Sequence, residues 1–504
     1  MTKRIPGHLL MQTILVFASL MCTLTVFGQA AAKKLPNIIY IYADDLGYGE
    51  LGSYGQQKIK TPYLDQMARE GIRFTQHYAG APVCAPSRAM LMTGKHAGHA
   101  YIRGNYELGG FKDDEEGGQM PLPAGIFTLP KMLKQAGYTT GMCGKWGLGM
   151  AGTSGDPLMQ GFDYYYSVLD QKQAHNYYPT HMWENGSWDS LSNRFIDVHE
   201  RLDSVKATSK DFDSYKGQEY SIDKMTAKAL GFIEQNKNKN FFLYLPFTLP
   251  HVALQVPDEA LKQYIGRFKE SPYYGQRGYA AHNNPRSAYA AMVSYLDMQV
   301  GIVMKKIRES GLDSNTVIMF SSDNGSSVEG DADPVYFNAV GGLRGTKRDL
   351  YEGGIRVPFI VRWPGTIQAG RVTDHISAQY DLLPTLAEIS GLKLTASDGI
   401  SFWPVLTGTE VKQARHEWLY FEFPEKGGQV GIRMGDWKAV RTNVRNNRAV
   451  PWQLYNLASD TFETNDIAVQ HPDLVRQFDA IQKKEHQHPH IREWEFIDPK
   501  FNEK

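Results

Sequence analysis

This sequence of 504 residues has no net charge and few cysteines. The 54 Lys and Arg side chains balance 54 Asp and Glu side chains, so the formal net charge at pH 7 is zero. A protein that holds nucleic acid through its phosphates carries an excess of basic residues, so this balance argues against a nucleic-acid partner. There are three cysteines, too few for a disulfide framework in a chain of this size.

An apolar run marks the N-terminus. Lys3 and Arg4 precede a nearly uncharged stretch from Leu9 to Phe27, and small residues follow it up to Ala30. This pattern predicts a secretory signal peptide over residues 1–30, with a retained transmembrane anchor as the alternative. We therefore expect an exported protein, periplasmic or secreted, with no stable membrane insertion after cleavage.

Buried strands alternate with helices over residues 35–400. The continuous apolar runs are Asn37–Ala43, Tyr138–Met142, Phe241–Leu245, Thr316–Phe320 and Arg356–Val361. Helical patterns lie between them, so we predict an α/β catalytic domain with a large, mostly parallel central sheet and helices on both faces. Over residues 401–504, short strands between glycine turns and a final helix predict a smaller subdomain with an antiparallel sheet.

Side chains suited to chemistry directly follow the predicted strands. Ligands of open α/β sheets bind outside the carboxyl ends of the strands, so we expect these side chains to meet at one site. They are Asp44, Asp45, Lys145, His251, Asp323 and Asn324. Three carboxylates and an amide form an oxygen ligand set that suits Ca²⁺ or Mg²⁺ rather than zinc, and export favours Ca²⁺.

The segment Cys84–Arg88 combines a thiol, a hydroxyl and a guanidinium within five residues, and Pro82 and Pro86 fix the backbone around Cys84. The apolar run Ala89–Met92 predicts the start of a buried helix, whose N-terminus would favour an anion near Cys84 and Arg88. Together with Lys145 and Lys347, Arg88 would surround an anionic group held by the metal, and His251 could protonate a leaving oxygen. The alternative is a buried cysteine in a proline-rich loop.

Two further stretches are candidates for substrate binding. His99 and Arg103 lie in a polar, aromatic loop and could contact an anionic substrate, although a surface loop explains them equally well. His175 lies in a segment from Asp170 to Trp188 that is rich in Tyr, His and Trp. Such aromatic platforms commonly bind sugars, and half-buried loop packing is the alternative.

Several motifs resemble those of one enzyme family. Cys84-Ala85-Pro86-Ser87-Arg88, continuing to Thr93-Gly94, resembles the Cys-x-Pro-x-Arg signature of formylglycine-dependent sulfatases, and Gly137-Tyr138 through Gly144-Lys145-Trp146 resembles their second signature. The other matching segments are Asp44-Asp45, Pro250-His251, Asp323-Asn324-Gly325, Lys347 and Tyr351–Pro358. The resemblance covers most of the chain from about Asn37, and it implies an alkaline-phosphatase-like fold.

The resemblance also implies a mechanism. A formylglycine-generating or anaerobic sulfatase-maturating enzyme would oxidise Cys84 to formylglycine, and one hydroxyl of its hydrate would attack the sulfur of a sulfate ester. By motif position, the calcium ligands would be Asp44, Asp45, Asp323, Asn324 and residue 84. Arg88 would stabilise the modified side chain, Lys145 and Lys347 would contact the sulfate, and His251 would be the general acid. The expected substrate is a sulfated carbohydrate of the galactose or N-acetylgalactosamine type.

One position departs from the family pattern, and two other functions stay open. Gly147 stands where the family often has a histidine, so His175 or His99 fills that role or the role is dispensable. A phosphomonoesterase or phosphodiesterase of the same fold would usually have Thr or Ser in place of Cys84. An inactive secreted sugar-binding relative is the other alternative, against which the intact set of Asp, Lys, His and Cys speaks.

Overall fold

The computed structural model describes residues 1–2, 35–394, 396–498 and 500–501. The predicted signal peptide over residues 1–30 lies outside the described residues, except for Met1 and Thr2. The described residues from Pro36 onward form one compact unit. Within the described ranges, no helix has both the length and the apolar character needed to cross a membrane.

A large mixed sheet forms the centre of this unit. Its strands are β1 (Asn37–Ala43), β2 (Ile72–Tyr78), β3 (Thr139–Lys145), β4 (Tyr164–Val168), β5 (His181–Glu184), β6 (Ser187–Ser190), β7 (Phe241–Pro246), β8 (Thr316–Ser322), β9 (Arg356–Arg362), β10 (Arg371–Thr373) and β11 (Ser377–Ala378). The spatial order is β10-β2-β9-β8-β1-β7-β3-β4-β5-β6, with β11 beside β2. The five strands from β8 to β4 are parallel, whereas β9 runs antiparallel to both β8 and β2.

Eleven α-helices occur in the described part of the chain. They are α1 (Pro62–Glu70), α2 (Cys84–Thr93), α3 (Leu129–Gln135), α4 (Ser221–Asn236), α5 (Asp258–Leu261), α6 (Pro285–Glu309), α7 (Pro334–Phe337), α8 (Glu352–Ile355), α9 (Leu382–Ile389), α10 (Trp403–Leu406) and α11 (Pro472–Glu485). Helix α6 has Pro285 in its first turn, where proline fits best.

Strand register brings the chemistry-bearing side chains to one edge. Every residue of β1 and β8 is buried, as expected for strands covered on both faces. Ala43 of β1 pairs with Ser322 of β8, and Tyr42 pairs with Pro246 of β7, so the three strands end at the same level. The residues that follow them therefore meet outside the carboxyl ends of the central strands.

A second, smaller sheet lies in the C-terminal part. Its strands are β12 (Leu419–Phe423), β13 (Gln429–Met434), β14 (Trp437–Arg441) and β15 (Gln453–Asn456), and each is antiparallel to the next. Phe478 and Ile481 of α11 share a hydrophobic cluster with Val430 and Ile432 of β13. The predicted antiparallel sheet with one helix is confirmed, while the boundaries at residues 400 and 401 stay a prediction.

Candidate active site

Two pairs of side chains, with three carboxylates and one amide in all, follow the ends of neighbouring strands. Asp44 and Asp45 follow β1, Asp323 and Asn324 follow β8, and all four are nearly completely buried. Asp45 has a left-handed backbone with a φ of 64°. Because this turn ends the extended strand, Asp45 is no longer constrained to the face opposite Asp44. The two strand ends also contact each other, since the backbone N–H of Asp45 donates to Oδ1 of Asp323 at 3.0 Å.

Buried cations neutralise one side of this acidic group. The Lys145 Nζ lies 2.7 Å from Oδ2 of Asp44. Arg88 donates from Nη2 and Nε to Oδ2 of Asp323 at 2.8 and 3.2 Å, and its Nη1 donates to the Lys145 carbonyl at 3.0 Å. Arg88 and Lys145 are both at most 1% exposed, so each charge depends on these contacts rather than on water.

A third cation, Lys347, lies on the other side. The Lys347 Nζ is 2.8 Å from Oδ2 of Asp45, and Asn324 donates from Nδ2 to Oδ1 of Asp45 at 2.7 Å. Burial lowers the pKa of Lys347, but Asp45 together with the other acidic groups around it outweighs burial and raises that pKa well above its usual value. Lys347 is therefore charged at neutral pH.

The carboxylates still repel each other. Burial, followed by the charge of Asp44, raises the pKa of Asp323 to about 7. Burial also acts against ionisation of Asp44, yet Lys145 and Arg88 hold the pKa of Asp44 below its usual value. A site that forces one carboxylate toward protonation is one that an added cation would stabilise.

Two oxygens at the centre of the group lack hydrogen-bond partners within the described residues. They are Oδ1 of Asp44 and Oδ1 of Asn324, and both are buried. Ligand atoms of Asp44, Cys84 and Asp323 lie within 4.8 Å of one another, as do those of Asp44, Asp45 and His251. Unsatisfied carboxylate and amide oxygens in such a cluster fit a hard divalent cation, so the donor set suits Ca²⁺ or Mg²⁺.

Cys84 is the first residue of α2. Val83 before it is extended, and every residue of the helix is buried. Both Cys84 and Cys143 are free thiols. Burial raises the pKa of Cys84 to about 11, although Lys145 and Lys347 act in the opposite direction. The unmodified thiol is therefore un-ionised at neutral pH and a poor nucleophile.

His251 and Lys347 form a hydrogen-bonded pair. The Lys347 Nζ lies 3.1 Å from Nε2 of His251, while Nδ1 of His251 contacts the Val252 carbonyl oxygen. Because a carbonyl can only accept, Nδ1 carries the ring proton and Nε2 accepts from Lys347. Burial, followed by the charge of Lys347, lowers the pKa of His251. The His251 ring is therefore neutral, and its unprotonated nitrogen, Nε2, faces the ammonium group of Lys347.

Two more histidines continue from this pair. The His175 ring stacks on His251 with centroids 4.9 Å apart, and its Nδ1 lies 3.1 Å from Nε2 of His199. Nδ1 of His199 donates to the Gly278 carbonyl at 2.6 Å, so Nε2 of His199 accepts from His175. His175 is thus brought to the site, and the structure adds His199, which sequence reasoning missed because it lies in a mostly polar segment without a motif.

The other two substrate-binding candidates lie elsewhere. His99 contacts Asp398 at 2.9 Å. Arg103 is 3% exposed and donates to Glu422 and to the carbonyls of Gly98 and Ala100. Within the described residues, no hydrogen bond or ion pair joins either side chain to the cluster around Asp44, so their role as substrate ligands stays a prediction.

Comparisons with known proteins agree with this arrangement. The profile of the family described as Sulfatase matches residues 36–392, and the one described as N-sulphoglucosamine sulphohydrolase, C-terminal, matches residues 345–488. Arylsulfatase A of Bos taurus is 31% identical over 436 residues, which cover 83% of this chain and 77% of the relative. Steryl-sulfatase of Rattus norvegicus is 29% identical over 463 residues, which cover 80% and 76%.

Solved structures are also similar to this chain. The crystal structure of Ps i-CgsB has a TM-score of 0.74 and 28% identity, and the match covers 93% of this chain and 96% of that one. The same protein in complex with k-i-k-neocarrahexaose matches with a TM-score of 0.73. Fold and site thus define a hydrolase with an alkaline-phosphatase-like fold. The chain belongs to the sulfatase family: it is a type I sulfatase, which hydrolyses sulfuric esters.

Proposed function

We propose that this sulfatase is exported and removes sulfate from a carbohydrate of the galactose or N-acetylgalactosamine type, with formylglycine at position 84 and one bound Ca²⁺. The observation that carries this proposal is the position of Cys84, un-ionised and buried, among the carboxylates and cations of the site. A sugar substrate is supported by the similarity to Ps i-CgsB, whose structure was solved with an oligosaccharide.

The acidic group would hold the cation. Asp44, Asp45, Asp323 and Asn324 supply the oxygens, and the unpartnered Oδ1 atoms of Asp44 and Asn324 are the available ligands. When bound, Ca²⁺ would neutralise the carboxylates and polarise a sulfate oxygen. Residue 84 would also be available to the cation, because its side chain lies within 4.8 Å of ligand atoms of Asp44 and Asp323.

The cations of the chain would bind the substrate. The formylglycine hydrate would supply a hydroxyl nucleophile where the thiol itself is un-ionised. Arg88 fixes the surroundings of residue 84 through Asp323 and the Lys145 carbonyl. Lys145 and Lys347 would donate to the sulfate oxygens, and as buried charges they act with little screening.

The His251–Lys347 pair would protonate the leaving alcohol. Lys347 donates to Nε2 of His251 in the free site, so a proton on Nε2 can come from the ammonium when the leaving oxygen takes up charge. The stacked His175 holds the His251 ring in this orientation. We also propose that His175, His99 and Arg103 contact the sugar.

The test is mass spectrometry of the tryptic peptide Phe74–Arg88, after expression with a maturation enzyme, together with turnover of an aryl sulfate. We expect the peptide to lose the mass that separates CH₂–SH from CHO, and Cys84→Ala to abolish turnover. The second buried thiol, Cys143, is the matched control and should stay unmodified. Full activity with an intact Cys84 thiol would contradict the proposal. Sulfated galactose and N-acetylgalactosamine standards then identify the sugar.

Metal removal tests the second part. Chelation should reduce turnover and lower the thermal midpoint, because the buried carboxylates of Asp44, Asp45 and Asp323 then repel each other. Both effects should be reversed by added Ca²⁺. Asn324→Ala should raise the Ca²⁺ concentration needed for recovery. Equal activity and stability after exhaustive chelation would exclude a required cation.

A further inference from the structure

Gly147 lies directly against the side chain of Gln171. Gly147 is two residues beyond Lys145, the last residue of β3, and has a φ of 74°. A Cβ built at Gly147 would lie 2.4 Å from Nε2 and 2.9 Å from Cδ of Gln171. The Gln171 amide therefore fills the space that a side chain at position 147 would need.

The amide nitrogen of Gln171 is buried without a hydrogen-bond partner in the described part of the chain. The residue as a whole is 2% exposed. An unsatisfied buried donor lowers stability by roughly 1–3 kcal/mol. A group of this kind that persists in a folded enzyme is a candidate for a ligand contact, since a bound acceptor would satisfy it.

Hydrogen bonds hold the residues on either side of the Gln171–Gly147 contact. The Gly147 N–H donates to the Leu169 carbonyl at 3.1 Å. Asp170 accepts from the N–H groups of Gly118 and Lys172 at 2.6 and 2.7 Å. The segment then continues to His175, which stacks on His251. Gln171 thus lies on the segment that leads to His175 and contacts the segment that follows Lys145.

We propose that Gln171 is a substrate-binding residue whose amide Nε2–H donates a hydrogen bond to an oxygen of the bound sulfate group. This inference rests on the proposed function. The cations Arg88, Lys145 and Lys347 supply charge, and Gln171 supplies a donor that does not titrate. Gly147 is then required to be glycine, because any larger residue would displace the donor.

Two variants test this assignment. Gln171→Met keeps the length but removes the donor, and we expect the KM for an aryl sulfate and the inhibition constant of inorganic sulfate to rise together by about 10-fold or more, as for a hydrogen bond to a charged group. Gln171→Glu places an anion there. At neutral pH it should bind sulfate more weakly than the Met variant, and it should regain affinity at acid pH, where the protonated carboxyl can donate.

Gln173→Met is the matched control. Gln173 is 4% exposed, and its Nε2 donates to the Lys112 carbonyl at 2.8 Å, so its loss should affect stability but leave the inhibition constant of sulfate unchanged. An unchanged inhibition constant in Gln171→Met would overturn the inference, as would a Gln171→Glu protein whose sulfate affinity relative to wild type does not vary with pH. If the Met variant does not fold, the Glu variant decides.

The two proposals fail in different ways. If the wild type turns over sulfate esters and the Gln171 variants bind sulfate as tightly as the wild type, the proposed function stands and the role of Gln171 is wrong. If the wild type turns over no sulfate ester, calorimetric titration of the unmodified protein with inorganic sulfate still tests Gln171. Absence of sulfate binding in that titration would overturn the inference as well.

Discussion

At the residue scale, the chemistry of Cys84 depends on its surroundings rather than on its type. Burial keeps the thiol un-ionised even with Lys145 and Lys347 nearby. The same cations are already engaged by Asp44 and Asp45 in the free site. Incoming sulfate therefore competes with carboxylates for the lysines, and a metal that binds those carboxylates would release the lysines for the substrate.

His251 provides a prediction at this scale. If the His251–Lys347 pair delivers the proton, His251→Ala should reduce kcat/KM by about 10²–10⁴-fold on sulfates of sugars, which are poor leaving groups. Aryl sulfates with acidic phenols need little protonation and should be affected much less. Steady-state kinetics across a series of leaving groups measures this difference. An equal loss across the whole series would contradict the acid role and indicate a purely positional one.

The sequence could predict much of the site, because strand ends mark it. Asp44, Asp323 and His251 each follow an apolar run, so their convergence follows from a parallel sheet. Gln171 and His199 could not be found in this way. Their roles depend on where loops fold back over the sheet edge, and no periodicity or motif marks them.

At the element scale, local sequence signals indicate where some helices begin, whereas other features of the helices and strands depend on tertiary structure. Helix α1 begins at Pro62, where proline suits the first turn. Helix α2 begins at Cys84, five residues before its apolar run and directly after the extended residue Val83. The antiparallel direction of β9 depends on connections at both its ends, so its apolar sequence could not indicate it.

His486, directly after α11, is paired with two carboxylates, and this charge clamp predicts that the unfolding free energy depends on pH. His486 contacts Glu422 of β12 at 2.7 Å and Glu495 at 3.1 Å. Burial lowers the pKa of His486, but the two carboxylates outweigh burial and raise it to about 9. The folded pKa lies above the unfolded one, so this stabilisation is complete below about pH 6.5 and is lost as the pH rises through about 9.

Urea unfolding between about pH 6 and pH 10 tests this clamp. The wild type should lose on the order of 3 kcal/mol of unfolding free energy relative to His486→Gln over that range. His488→Gln is the control, because His488 is an exposed histidine two residues further on. Parallel pH profiles for the wild type and His486→Gln would show that the clamp does not contribute.

At the scale of the whole molecule, one buried ionic network joins the two sheets. The Lys438 Nζ of β14 lies 2.8 Å from Glu352 and 3.2 Å from Glu463, and all three side chains are fully buried. Glu352 begins α8 and also accepts from the hydroxyl of Tyr78, the last residue of β2, at 2.7 Å. The small sheet is therefore attached to the large one through a lysine that no sequence motif indicated.

Lys438→Met should be strongly destabilising, because it removes the counter-ion of the buried Glu463 and leaves Glu352 with the longer contacts to Arg356 and Arg433, at 3.4 and 3.9 Å. Breaking such a pair lowers the unfolding free energy by about 3–5 kcal/mol, which chemical denaturation measures. The ion pair of Lys426 with Asp349 is the matched control, because Lys426 is exposed, and Lys426→Met should change the unfolding free energy by about 1 kcal/mol or less. Adding Glu463→Gln to Lys438→Met should recover part of the loss, since burial already raises the pKa of Glu463 to about 7 and favours its neutral form. Equal effects of Lys438→Met and Lys426→Met would mean that apolar packing, and not this network, holds the two sheets together.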